Sequence, residues 1–313
     1  MSELPESVSI REVGPRDGFQ NEPEVIPTER KVELIDALAR TGLRRLEVTS
    51  FVRADVIPQL ADAAEVLTRI DVPAHVSVSV LIPNERGLDD ALALRDANRG
   101  ERAAFDEINV FLSASESHNR RNVNRSIDES LAGLQVVLAR AREQGLRCEG
   151  VISTSFGCPY EGHVKPERVL QIAARLRDAG AAEIGFGDTT GMANPVQVRE
   201  FFSLARSTLG DELQLTAHFH NTRGQGLANV LAALEAGVES FESSFGELGG
   251  CPVPAGATGN IASEDLVSML HEMGISTGID LPALIACSRR AQEILGRPLG
   301  SHTLLAGPVH WEG

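Results

Sequence analysis

Apolar residues fall into two alternating rhythms along the chain. One has a period of two and fills short runs; the other has the 3.6-residue spacing of a helix face. Leu213, Leu215, Ala217 and Phe219 alternate with polar neighbours in the first manner. The same reading predicts strands at Ser9–Val13, Arg45–Thr49, His75–Leu81, Glu107–Leu112, Arg147–Thr154, Glu183–Gly187, Gln214–Phe219 and Ser240–Ser244. Between them lie amphipathic segments such as Leu131, Leu134, Val137 and Leu138, or Val169, Ile172 and Leu176. Helix-start signals stand at Pro27–Arg30, Ser126–Glu129 and Ser263–Asp265, and glycines 42, 145, 180, 237 and 274 mark helix ends. Eight strand-then-helix units in one chain predict a closed (β/α)8 barrel, with Leu281–Leu295 as a further helix. A doubly wound sheet is the alternative, but no G-x-G-x-x-G follows the first strand. No linker or low-complexity tract divides residues 1–313, so one catalytic domain is expected.

Charge and composition narrow the functions. The formal charge is −15, from 29 Lys and Arg against 44 Asp and Glu. So acidic a chain is poorly suited to nucleic acid, which requires basic surface. Met1–Ile10 is polar and acidic, unlike a signal peptide, and no apolar run approaches the ~18 residues of a membrane span. Cys148, Cys158, Cys251 and Cys287 show neither disulfide-framework nor C-x-x-C spacing. Reduced thiols in a cytoplasmic enzyme are the simplest expectation.

In this barrel, chemistry is built just after the strands. Gly14-Pro15-Arg16-Asp17-Gly18-Phe19-Gln20 follows the first predicted strand, Gly187-Asp188-Thr189 closes the sixth, and His218-Phe219-His220 ends the seventh. Side chains two apart on a strand share a face, so His218 and His220 can offer two imidazoles to one ion. The first, seventh and eighth strands are neighbours in a closed barrel. Asp17, His218, His220 and Asn260 can then converge on one centre. Two nitrogens, a carboxylate and an amide oxygen, with room for substrate oxygens, suit Mn²⁺ or Mg²⁺; Zn²⁺ is the competing assignment.

These motifs together resemble the 3-hydroxy-3-methylglutaryl-CoA lyase family. The resemblance is carried by Gly14–Glu22, Glu47–Val52, Gly157–Gly162, Gly187–Thr189, His218-x-His220, Gly249–Pro252 and Gly256–Val267, in that order. It implies divalent-metal-dependent cleavage of a 3-hydroxyacyl-CoA thioester to acetyl-CoA and a keto acid, by a homodimer or larger homo-oligomer. Asp17, His218, His220 and Asn260 would be the metal ligands. Arg16 would face the thioester carbonyl, and Cys251, on its glycine-rich loop, would protonate the enolate. Glu47, Asp188, Gln20 and Glu264 are expected around them as supports.

The chemistry asks for the same parts. Retro-Claisen cleavage needs a tertiary alcohol to lose its proton, a fixed positive group at the developing enolate oxygen, and an acid for the enolate carbon. Asp17, His218 and metal-bound water are the candidate acceptors of the alcohol proton.

The sequence departs from the family pattern in three places. Asn221-Thr222-Arg223 stands where the lyases carry Asp-Thr-Tyr, Pro23 replaces a lysine, and Ser117-His118-Asn119-Arg120 resembles the condensing synthases. His118 is expected either to cap a helix or to meet CoA phosphates or a second carboxylate. These changes bear on the acyl group, with a longer-branched glutaryl-CoA or citramalyl-CoA as alternatives. A Claisen-type synthase or a 2-oxo-acid aldolase on the same barrel is the competing function.

Overall fold

The computed structural model describes residues 4–97, 104–250 and 258–311. Eight parallel strands close into a barrel in chain order, β1 pairing with both β2 and β8. They are β1 (Ser9–Glu12), β2 (Arg45–Ser50), β3 (Ser77–Leu81), β4 (Glu107–Ser113), β5 (Arg147–Ser153), β6 (Glu183–Asp188), β7 (Gln214–Phe219) and β8 (Ser240–Ser243). Helices α1 (Thr28–Leu38), α2 (Ala63–Arg69) and α3 (Glu85–Ala97) follow the first three strands. A short α4 (Glu116–Val123) precedes α5 (Ile127–Glu143). Then come α6 (Pro166–Ala179), α7 (Pro195–Leu209), α8 (Gly226–Glu235) and α9 (Ser263–Glu272). The expected extra helix is α10 (Leu281–Leu295), followed by a one-turn α11 (His302–Ala306).

The predicted strands lie where expected, with ends shifted by a residue or two. The third begins at Ser77, because Val76 turns back to donate its N–H to the Pro73 carbonyl. The first stops at Glu12, because Val13 leads into a π-helical turn. Ser126 and Glu129 form the anticipated capping box on α5. The starts read at Pro27 and Ser263 are helix starts as well, but without a side-chain cap.

The apolar core lies between the barrel and its helices. Along the strands, Leu46, Val48, Val78, Val80, Ile108, Val110, Ile184, Phe186, Leu215 and Phe241 are buried there. The alternate residues point into the barrel, and many carry charge. Arg11 contacts Glu149, Glu242 (3.0 Å) and Glu107 (3.2 Å), and Arg45 reaches Glu183 (2.6 Å) and Glu107 (3.0 Å). Barrels of this kind are commonly plugged by Val, Ile and Leu. Here a buried ionic layer lies on the barrel axis instead, with the functional residues at the strands' C-terminal ends.

Candidate active site

The turn after β1 is a π-helix, Gly14–Gly18, that carries Arg16 and Asp17. It can form only because residue 14 is glycine: a Cβ there would sit 2.5 Å from the Phe245 ring and 2.8 Å from Glu12 Oε1. Glu12 accepts from the N–H of Gly14 (2.7 Å) and of Phe245 (3.0 Å), so one carboxylate ties the β1 turn to the β8 turn. Burial pushes its pKa up to about 8.

Arg16 is gripped on two sides. Its Nε and Nη2 donate to Glu47 Oε1 and Oε2 at 2.6 and 3.1 Å, and its Nη1 donates to Asp17 Oδ1 at 2.6 Å. A break in register between Glu47 and Thr49 on β2 lies beside this contact, the kind of bulge that re-aims a side chain. Three of the five guanidinium N–H groups are engaged, which leaves two for a ligand. Burial raises the pKa of Glu47 despite Arg16, and the flanking carboxylates raise that of Arg16 against the effect of burial.

His218 and His220 share the inner face at the end of β7, with their Nε2 atoms 3.1 Å apart. One ligand atom each from Asp17, His218 and His220 lies within 4.8 Å of the others. Asn260 completes the cluster. It bridges to His220 through the backbone, and its Nδ2 donates to Asp17 Oδ2 (2.8 Å) and to the Leu248 carbonyl (3.0 Å). That pins the amide with Oδ1 buried and without a partner. A buried orphan oxygen beside two imidazoles and a carboxylate is the arrangement a divalent cation satisfies, so the residues fit the ion the sequence implies.

The electrostatics follow from burial and neighbours. Burial and His218 together lower the pKa of His220 to about 3, so it is neutral. Burial would also lower that of His218, but its hydrogen bond to Glu242 (Nδ1 to Oε2, 2.8 Å) and that residue's charge raise it. Asp17 is held below the usual carboxylate range by Arg16 and His218, against the effect of burial.

A cavity of about 340 Å³ opens over these groups, lined by Arg16, Asp17, His218 and His220 on one side. Gln20 is on its wall as well. Asp188 works from behind: its Oδ1 accepts from the N–H of Met192 (2.7 Å) and Ala193 (3.1 Å), bracing the turn after β6. Burial lifts its pKa to about 6. Arg223 fastens the same turn, donating to the carbonyls of Thr190 and Gly191 at 2.9 and 2.6 Å. Glu264 sits one layer further back, where both oxygens accept from the Gly246 N–H and one from Ser288. It supports the β8 turn rather than Asp17 or the histidines. Cys251 lies outside the described residues.

His118 does not cap α4; Ser115 does, accepting from the His118 N–H. The imidazole instead lines the cavity, its Nδ1 2.5 Å from Ser113 Oγ, and burial lowers its pKa. Beside it Tyr160 lies under Arg121, whose guanidinium carbon is 4.4 Å from the ring centroid. Sequence reading missed Tyr160, Glu12 and Glu242. For Glu242 there was a signal: a lone carboxylate in Ser240-Phe241-Glu242-Ser243 must face either solvent or the barrel axis.

A family model described as HMGL-like matches residues 7–290. The chain belongs to the HMGL-like family. It is 44% identical over 302 residues to the hydroxymethylglutaryl-CoA lyase YngG of Bacillus subtilis, covering 96% of this chain and 97% of that one. It is 42% identical to the hydroxymethylglutaryl-CoA lyase of Pseudomonas mevalonii, over 96% and 97% of the two chains. The crystal structure of the Bacillus subtilis HMG-CoA lyase superposes with a TM-score of 0.91, covering 97% of this chain and 98% of that one at 42% identity. An Acinetobacter baumannii HMG-CoA lyase in complex with coenzyme A and 3-methylmalate also gives 0.91, at 40% identity over 100% of both chains. The match to the family therefore takes in the whole barrel, including every strand end that builds the cluster.

Proposed function

We propose that this protein is a divalent-metal-dependent carbon–carbon lyase that cleaves 3-hydroxy-3-methylglutaryl-CoA to acetyl-CoA and acetoacetate. One observation carries the reading: Asp17, His218, His220 and the orphaned Asn260 Oδ1 converge beside an Arg16 with N–H groups to spare. The HMG-CoA lyases at 40–44% identity support the reaction class.

In this reading Asp17, His218, His220 and Asn260 hold the ion. When bound, the ion supplies Lewis acidity, making the substrate's tertiary alcohol easier to deprotonate. With Nδ1–H held by Glu242, His218 would have only Nε2 to offer as a ligand atom and would keep no lone pair for the alcohol proton. Of the chain's own groups Asp17 is left to receive that proton, although Arg16 and His218 hold its pKa low. As the alcohol becomes a ketone, the bond from its carbon to the thioester's α-carbon breaks, and that electron pair becomes the enolate of acetyl-CoA. Arg16, locked by Glu47, turns its remaining N–H groups to the enolate oxygen, and a fixed donor of this kind is worth about 10²–10³ in rate. Cys251 returns a proton to the enolate carbon.

The donor set, half nitrogen and half oxygen, favours Mn²⁺ or Mg²⁺ over Zn²⁺. Cys148, Cys158 and Cys287 are free and buried, which supports a reducing compartment such as the cytoplasm. No helix among the described residues is long and apolar enough to cross a membrane. The proposal extends to one catalytic domain in a homodimer or larger assembly, which analytical ultracentrifugation tests. Acetyl-CoA release from 3-hydroxy-3-methylglutaryl-CoA by EDTA-stripped enzyme, with Mg²⁺ or Mn²⁺ restored and citramalyl-CoA run in parallel, tests the reaction. Metal-restored release from the first thioester alone is the expected result. No release from either thioester refutes the lyase reading.

A further inference from the structure

Glu242 lines the cavity and has no step in the proposed reaction, yet it occupies the position that joins the ion-binding end of β7 to the ionic layer inside the barrel. The sheet register puts it there: His218 pairs with Glu242 across β7 and β8, and Glu242 pairs with Arg11 across β8 and β1. Side chains of laterally paired residues share a face, so the three stand in one row facing the axis. The contacts follow the row. Glu242 Oε2 is 2.8 Å from His218 Nδ1, and Glu242 Oε1 accepts from Arg11 Nη1 at 3.0 Å. Arg11 is itself fixed by Glu149 and Glu107. All three carboxylates and Arg11 are buried.

We propose that Glu242 is a positioning residue for the metal centre. Its Oε2 accepts a hydrogen bond from His218 Nδ1–H, which selects the tautomer with a lone pair on Nε2 and aims that lone pair at the point shared with His220 Nε2 and Asp17. Arg11 holds the carboxylate in register through its 3.0 Å bond to Oε1. A histidine ligand whose far nitrogen is held by a carboxylate is a stronger and better-oriented donor, and loss of the partner costs about 10–100-fold in metal affinity. The ionic layer thus has two tasks: it fills the barrel, and it orients one ligand at the rim.

The inference rests on the reading of His218 as a ligand, and the test separates the two. Mn²⁺ is titrated into the metal-stripped full chain by calorimetry, with unbound ion counted by electron paramagnetic resonance. The variants are Glu242→Gln, Glu242→Asp and, as a control in the same layer, Glu107→Gln. Glu107 binds Arg11 and Arg45, whereas the carboxylate bonded to His218 is that of Glu242. Glu242→Gln is expected to raise the Mn²⁺ Kd by about 10–100-fold. Glu242→Asp, which keeps the charge one methylene back, is expected to fall between it and the wild type. Glu107→Gln is expected to lower Tm and leave the Kd within about threefold, a pattern that a general loss of stability cannot produce. Wild-type affinity in both Glu242 variants overturns the proposal while leaving the metal centre standing. If Glu242→Gln does not fold, Glu242→Asp decides alone, and a Kd within about twofold of wild type overturns it. A wild-type protein that binds no Mn²⁺ refutes the metal centre itself.

Discussion

Gly249→Ala adds one methyl group beside the Asn260–Asp17 contact. Gly249 has φ +110°, and a Cβ there would sit 2.6 Å from Asn260 Nδ2 and 3.2 Å from Asp17 Oδ2. Two costs follow. An L-residue at this φ costs about 1–2 kcal/mol of backbone strain. The contact with Asn260 cannot stand, so the amide must move, loosening its bonds to Asp17 and to the Leu248 carbonyl. Two such bonds are worth about 0.5–1.5 kcal/mol each. The sum is about 2–5 kcal/mol, borne mainly by the residues that would hold the ion. If only about 2 kcal/mol of it appears at the site, kcat/KM falls about 30-fold, since about 1.4 kcal/mol is tenfold. The assay is coupled acetyl-CoA release at several Mn²⁺ concentrations. Gly237→Ala is the control, because Gly237 also has positive φ (+81°) but no atom lies within 4 Å of where its methyl carbon would stand. It should lose stability and keep activity. Gly249→Ala with kcat/KM and Mn²⁺ dependence within about threefold of wild type would falsify the argument that this glycine makes room for the Asn260–Asp17 contact.

Three further outcomes are expected. His220→Ala removes one of the converging nitrogens and should raise the Mn²⁺ Kd at least about 100-fold; unchanged metal content after dialysis would remove His220 from the ligand set. Cys251→Ala should reduce turnover at least about 100-fold with metal content intact, and normal turnover would assign the enolate's proton to another donor. Glu12 has its pKa lifted to about 8 from an ordinary 4.5, so between those values the folded chain binds the proton and the unfolded chain does not. Its contribution to stability is therefore full below about pH 4.5 and declines as pH rises toward 8. Thermal unfolding at stepped pH should show Tm falling across that window and the fall reduced in Glu12→Gln; identical profiles would contradict a buried, proton-holding Glu12.

The fold was legible because two periodicities alternated eight times, and the lack of a G-x-G-x-x-G after the first strand favoured closure over an open sheet. The strand ends were less so, since they depend on where a backbone N–H finds a carbonyl, as Val76 does at Pro73. The cluster was legible wherever a residue lay in a local pattern: His218 and His220 two apart on a strand, Arg16-Asp17 directly after one. Glu242 was hidden for a physical reason. Its meaning comes from lateral register across β7, β8 and β1, the last of them 231 residues away, and periodicity gives the facing of a residue without naming the neighbour. Glu264 shows the converse. It lies within a recognisable motif, yet its carboxylate turns to Gly246 and Ser288 rather than to the cluster. For His118 the sequence allows either a cap or a ligand contact; the Ser115 hydroxyl caps α4, and the ring, bonded to Ser113, faces the cavity.

The ionic layer also constrains how this barrel can be taken apart and rebuilt. Arg11 and Arg45 come from β1 and β2, whereas their acidic partners Glu107, Glu149, Glu183 and Glu242 come from β4, β5, β6 and β8. Removing one member strands a buried charge, at a cost of about 3–5 kcal/mol, while replacing the whole set by apolar residues need not. Half-barrels exchanged with a relative whose axis is apolar would leave Arg11 and Arg45 with Glu107 alone on β1–β4, or Glu149, Glu183 and Glu242 with only the half-exposed Arg147 on β5–β8. Chimeras of this family should therefore survive only when both halves come from parents with matching charge along the axis, and sequence drift at these positions should proceed in compensated groups rather than one residue at a time.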